Sequence, residues 1–146
     1  MKKYIIQLLL LTLFNLITFC ASKENLKANF PQEITSMSFE KWTGGRRETG
    51  SGTKVSIEFK KQLPKNIHLQ KIYFQNQETE IVQENETKFS ASFHSNALYR
   101  EQHSSDAASK NFNLKDNEAV IEYQNQSKTY FYKCSNIKEI PMIMYE

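Results

Sequence analysis

The chain is poor in the residues that usually staple small exported folds or carry chemistry. It has 146 residues with two cysteines, three prolines, three histidines, one tryptophan and four glycines. The cysteines are Cys20 and Cys134. If Cys20 is modified or removed, Cys134 has no partner, which excludes a disulfide framework. A lone cysteine in a strand pattern reads as a small apolar core residue. A reactive thiol would need an exposed, electropositive setting. His68, His94 and His103 are far apart, with no pair at ligand spacing, so no metal site is expected. Ser104, Ser105 and Asp106 sit beside His103 in a polar stretch. A triad is assembled in space on a rigid scaffold, so this adjacency does not suggest one. No catalytic residue, metal ligand or cofactor is therefore assigned. Basic residues interleaved with aromatics in a stripe are also lacking, so nucleic acid is not an expected partner.

Long apolar runs are confined to the start. Met1-Lys2-Lys3 is followed by a stretch from Tyr4 to Phe19 dominated by Ile, Leu and Phe. Two lysines and then an apolar segment have the form of an export signal, and residues 1–19 read as one. Gln7, Thr12, Asn15 and Thr18 interrupt the run. A spanning helix needs about 20 mostly apolar residues, so a permanent anchor helix is disfavoured. Ile17-Thr18-Phe19-Cys20 resembles a bacterial lipobox, with Phe19 where a small residue is usual. Cys20 is accordingly the expected lipidation site. Ordinary cleavage near Cys20 or Ala21, giving a soluble periplasmic or secreted protein, is the alternative. Without residues 1–19 the chain keeps 17 basic and 16 acidic residues, close to neutrality.

Residues 20–36 are polar and lack a period, which reads as a tether. The folded domain is expected over residues 37–146. There the period is two: Val55, Ile57 and Phe59 alternate with Lys54, Ser56, Glu58 and Lys60, and Phe89, Ala91 and Phe93 alternate with Lys88, Ser90, Ser92 and His94. Successive strand side chains face opposite ways, so each stretch buries one face. Ile67 to Gln75 and Glu80 to Gln83 read as further strands, with a turn at Asn76-Gln77. Phe112 and Leu114 read as a short strand before the turn residues Asp116-Asn117. Glu118 to Gln124 and Lys128 to Cys134, joined by Asn125-Gln126-Ser127, read as an antiparallel hairpin. Tyr99 to Lys110 is the best candidate for a short helix or mobile loop. The pattern predicts an all-β, antiparallel β-sandwich, immunoglobulin-like by first choice, with a small β-barrel as the alternative.

All four glycines fall between Trp42 and Gly52, in the run Trp-Thr-Gly-Gly-Arg-Arg-Glu-Thr-Gly-Ser-Gly. Glycine is required where φ is positive or the backbone bends sharply. One reading is a plain strand connection. The other is a binding loop, with Trp42 as a flat apolar face and Arg46 and Arg47 as planar donors. Gly45 and Gly50 have the spacing of a phosphate loop, but Ser51 stands where its lysine should be. The tyrosines Tyr123, Tyr130 and Tyr132 with Phe131 could stack on sugars. Core packing is preferred, because Tyr130 and Tyr132 share a strand face with Cys134.

The segment Ser38-Phe39-Glu40-Lys41-Trp42 before the Gly/Arg loop resembles small predicted lipoproteins of the Bacteroidota. Leu114 to Tyr123, and Lys128 to Lys133 through Ile137, extend the likeness. The resemblance implies lipidation and an envelope location, and no activity, ligand or site. Together these readings predict an exported envelope lipoprotein, non-enzymatic, held to the membrane by its lipid and binding an envelope protein or glycan. The alternatives are a structural subunit of an envelope complex, with Ile140 to Tyr145 as its docking strand, and a small hydrolase.

Overall fold

The computed structural model describes residues 26–44, 50–95 and 112–145. These form ten strands: β1 (Leu26–Lys27), β2 (Ile34–Gly44), β3 (Ser51–Phe59), β4 (Ile67–Phe74), β5 (Gln77–Glu80), β6 (Val82–Gln83), β7 (Lys88–His94), β8 (Ala119–Asn125), β9 (Lys128–Cys134) and β10 (Lys138–Tyr145). Sheet A has the order β1-β9-β8-β4-β5 and sheet B the order β10-β2-β3-β7-β6. The two sheets pack face to face without closing into a barrel. The expected all-β sandwich is therefore the fold. Its core strand orders, β2-β3-β7-β6 and β9-β8-β4, are those of the two sheets of an immunoglobulin constant domain, with β1, β5 and β10 added at the edges.

The period-two pattern builds the core. Val55, Ile57 and Phe59 of β3 and Phe89, Ala91 and Phe93 of β7 point inward from sheet B. They meet Ile72 and Phe74 of β4, Ala119, Ile121 and Tyr123 of β8, and Cys134 of β9. Val55, Ile72, Ile121 and Ala119 are wholly removed from solvent. At about 25 cal/mol per Å² of apolar surface buried, this layer is the main stabilising term.

Six of the strand pairings are antiparallel, as expected, and two are parallel: β1 with β9 and β10 with β2. Both sheets are thus mixed. The reason lies in the connections. Direct connections give the antiparallel pairs β2–β3, β4–β5, β6–β7 and β8–β9, and crossings between the sheets give β3–β7 and β4–β8, whereas β1 and β10, the first and last strands, lie parallel to their neighbours. The tail from Ile140 to Tyr145, the docking strand of the structural-subunit alternative, pairs by one edge with the chain's own β2.

Three local expectations need correction. The strand read from Glu80 to Gln83 is divided: Glu80 ends β5 in sheet A, and Val82–Gln83 belongs to sheet B. Ile81 makes the corner, donating its backbone N–H to the Gln70 carbonyl at 3.0 Å while Val82 pairs with Ser90. The turn before β5 is Gln75-Asn76, one residue earlier than read, because Phe74 pairs with Gln77. Phe112 and Leu114 form no strand. They pack instead over Tyr73, Val120 and Phe131 on the outer face of sheet A.

The tether also proves too long. Leu26 and Lys27 pair with Phe131 and Tyr132, and Ile34 already lies in β2. Between them, Phe30 enters the lower end of the sandwich, with ring centroids 5.4 Å from Phe59, 4.8 Å from Tyr123 and 5.6 Å from Tyr132. It bridges both sheets. A single aromatic in a polar stretch carries no periodicity, so the sequence pattern could not place it. The region from Tyr99 to Lys110 lies outside the described residues.

The sheet edges are short or broken. β1 and β6 have two residues each and β5 has four. β10 is longer, but carries Pro141 and a register shift between Ile140 and Ile143. Short edges, proline and bulges all discourage further strand pairing.

Candidate functional site

The upper end of sheet B is where the Gly/Arg loop leaves the fold. β2 and β3 outrun the core there: Phe39 and Val55 belong to the inter-sheet cluster, and no described residue of 40–44 or 50–54 does. The hairpin is held by its backbone register, Lys41 to Thr53, Trp42 to Gly52 and Thr43 to Ser51. Gly44 donates its N–H to the Gly50 carbonyl at 2.9 Å, closing the base of the loop. Gly50 has φ of 69°, a left-handed conformation costly for residues with a Cβ.

Gly52 is constrained differently. It lies between Trp42 on β2 and His94 on β7 in one cross-strand row. A Cβ here would collide with the Phe93 carbonyl oxygen and come within 2.8 Å of the Trp42 indole. The indole therefore lies over the bare glycine backbone, a close approach that restores the contacts a side chain would make. Trp42 and His94 meet edge to face, centroids 5.4 Å apart at 80°. Because Phe39, Val55 and Phe93 face inward, the alternation places Trp42 and His94 on the outer face of sheet B. Trp42 is half-buried against the sheet rather than inserted between the sheets. Lower on the same face, Lys54 pairs with Glu84 at 2.8 Å. On the inner side, beyond the core, Lys41 pairs with Glu139 at 3.0 Å. The Lys54 ammonium, then the Ser90 hydroxyl, hold the Glu84 carboxyl below the usual carboxylate range.

Trp42 is thus an ordered platform at the base of the loop. Arg46 and Arg47, and with them Cys20, His103, Ser104, Ser105 and Asp106, lie outside the described residues. The other expected candidates are not brought together. His68 is on β4 in sheet A and His94 on β7 in sheet B. Among the described residues no group of three His, Cys, Asp or Glu side chains could hold a metal ion. Tyr123, Tyr130 and Tyr132 belong to the inter-sheet core, while Phe131 faces the opposite way. They form no common stacking surface. Cys134 is buried, and burial pushes its thiol up to about 12, so it stays protonated at neutral pH.

Sequence reading missed a second ordered cluster, on the outer face of sheet A. Tyr73 and Phe131 are covered by Phe112, with centroids 4.9 and 5.5 Å away. The Tyr73 hydroxyl donates to Glu122 at 2.5 Å. Glu118 accepts from the Lys115 backbone N–H at 3.0 Å and pairs with Lys133 at 2.8 Å. The Lys133 ammonium, then the Lys115 N–H, hold its carboxyl below the usual range. The signal was present in Phe131, an aromatic out of phase with its tyrosine neighbours. These contacts tie the segment before β8 to the sheet. No family model, curated protein or solved structure matches the chain.

Proposed function

We propose that the protein is an exported, non-enzymatic envelope lipoprotein, anchored through lipid on Cys20. Its upper hairpin captures a glycan or an envelope protein through Trp42, Arg46 and Arg47. One observation supports the binding role: Trp42 is packed outside the inter-sheet core near the end of β2, beside His94 and over Gly52. An aromatic fixed outside the inter-sheet core costs little to order on binding, and two arginines follow it within five residues. Anchoring is supported by the cysteine at the end of the apolar run. The alternative of a structural subunit docking by its C-terminal strand has less support, because one edge of that strand pairs with β2 and the strand is interrupted by Pro141 and a register shift.

Mass spectrometry of the mature N-terminus decides the anchor. A diacylglyceryl-modified Cys20 supports it, and a free amine at Ser22 refutes it. Capture is read by cross-linking in intact cells and by retention on purified envelope glycans. Arg46→Ala with Arg47→Ala is expected to abolish recovery with an unchanged melting temperature. Undiminished recovery would reduce the loop to a connection.

A further inference from the structure

We propose that the lower end of the sandwich is a membrane contact, a basic surface formed by Lys27, Lys61, Lys65 and Lys128 that lies against anionic lipid headgroups. The proposal rests on the anchored reading and extends it from the lipid to the folded domain.

The first support is the reach of the chain. The fold begins at Leu26, with five residues between it and Cys20. Extended chain advances at most about 3.6 Å per residue, so the anchor cannot lie more than roughly 22 Å from the sandwich. β1 runs parallel to β9 and pairs with its Phe131 and Tyr132, so Leu26, the first residue of the strand, is on the side of β9's start. That side is the lower end, where the Gln126-Ser127 turn joins β8 to β9.

The second support is charge. Lys128 follows that turn, and Lys65 is drawn to it by two hydrogen bonds of its neighbour Asn66. These are the Asn66 Nδ2 donation to Asn125 Oδ1 at 2.8 Å and the Gln126 N–H donation to the Asn66 carbonyl at 3.4 Å. Lys27 reaches the same edge, its Nζ 4.7 Å over the Tyr130 ring. Lys61 follows β3, whose last residue, Phe59, packs on Phe30. All four lysines are exposed, and none forms an ion pair with a described residue. Among the described residues the acids of this end are few: Glu33 is paired with Lys60 and Glu58 with Lys88, leaving Glu86. The upper end of sheet A differs among the described residues, since Lys133 is neutralised by Glu118 and Lys115 adjoins Asp116. Among the described residues, the near-neutral net charge thus hides a basic end on the side where β1 begins.

The Debye length is about 8 Å at physiological ionic strength, so the lysines attract headgroups only if the domain is held close. The short chain between Cys20 and Leu26 allows that. The test uses the mature full-length protein purified from membranes and reconstituted on phosphatidylcholine vesicles with or without phosphatidylglycerol. Acetylation rates of individual lysines are read by mass spectrometry. Lys61, Lys65 and Lys128 are expected to react roughly threefold or more slowly on the phosphatidylglycerol vesicles, each basic residue near such a surface contributing severalfold to association. High salt should remove the difference, and Lys115 should show none. Equal rates on both vesicles would overturn the proposal. If the mature chain carries no lipid, the anchored reading falls by itself. The surface is then decided by flotation of that soluble chain with phosphatidylglycerol vesicles. Flotation abolished by Lys61→Gln, Lys65→Gln and Lys128→Gln together sustains it, and absence of flotation overturns it.

Discussion

The two ends of the sandwich are built on opposite principles. At the lower end the chain spends an aromatic, Phe30, to fill the gap between the sheets, touching Phe59 on one and Tyr123 and Tyr132 on the other. At the upper end the aromatic, Trp42, lies outside the inter-sheet core, laid over a glycine on the outer face of sheet B. The first arrangement couples the sheets. The second couples neighbouring strands of one sheet and leaves the core untouched. The lesson is that an aromatic's contribution depends on which layers it joins.

The sharpest way to break the comparison is truncation at the lower end. Phe30→Ala should cost about 3–4 kcal/mol, because it opens a cavity bridging both sheets. Urea denaturation of the mature protein would read this as a lowered midpoint at constant m-value. Gly52→Ala should come next, at about 2–3 kcal/mol, since the new methyl meets the Phe93 carbonyl and the indole together. Trp42→Ala should cost only about 1 kcal/mol, the size of a cross-strand pair on an open face. If Trp42→Ala proved as costly as Phe30→Ala, the distinction between the two ends would collapse.

The smallest expected effect is on pH dependence. Glu84 and Glu118 have carboxyls held below their ordinary range by lysine partners. Their contribution is present above the ordinary glutamate value, about 4.3, and is lost as pH falls through the lowered values. Cys134, with Tyr123 and Tyr132, is shifted upward by burial. That contribution is intact below the ordinary thiol value, about 8.5, and is lost as pH rises towards 12. Melting temperature should therefore be flat from about pH 5 to 8 and decline on both sides. Lys133→Met should flatten the acid limb. Loss of the alkaline limb in Cys134→Ser would assign that side to the thiol rather than the tyrosines.

The strands with clean alternation were legible because each buries one face and wets the other. Val55-Ile57-Phe59, Phe89-Ala91-Phe93 and the β8–β9 hairpin lie where the pattern put them. What the pattern could not carry was the joining of elements. Ile81 sits in a run that alternates acceptably, yet the chain changes sheets there, and no residue type marks the corner. The turns at Gln75-Asn76 and Gln126-Ser127 all have positive φ, a geometry usually signalled by Asn-Gly. Phe112 and Leu114 alternate like a strand but have no edge to pair with. For the site, the glycine cluster was visible and its demands were partly right. Gly50 takes a left-handed conformation, whereas Gly52 is required by proximity of the indole and a carbonyl, which no local signal reveals.

The pairing of β10 with β2 has a kinetic consequence. Lys138 meets Ser38, so the outermost pairing of sheet B joins residues about 100 positions apart in the chain. Contacts of such separation form late, since the closure entropy must be met before the strand contributes anything. Until then β2 presents a bare edge eleven residues long, with Phe39 at its centre. The slow step of folding should be the arrival of β10. A chain halted before that step would carry the hazard the finished molecule avoids: an open strand able to template its own association.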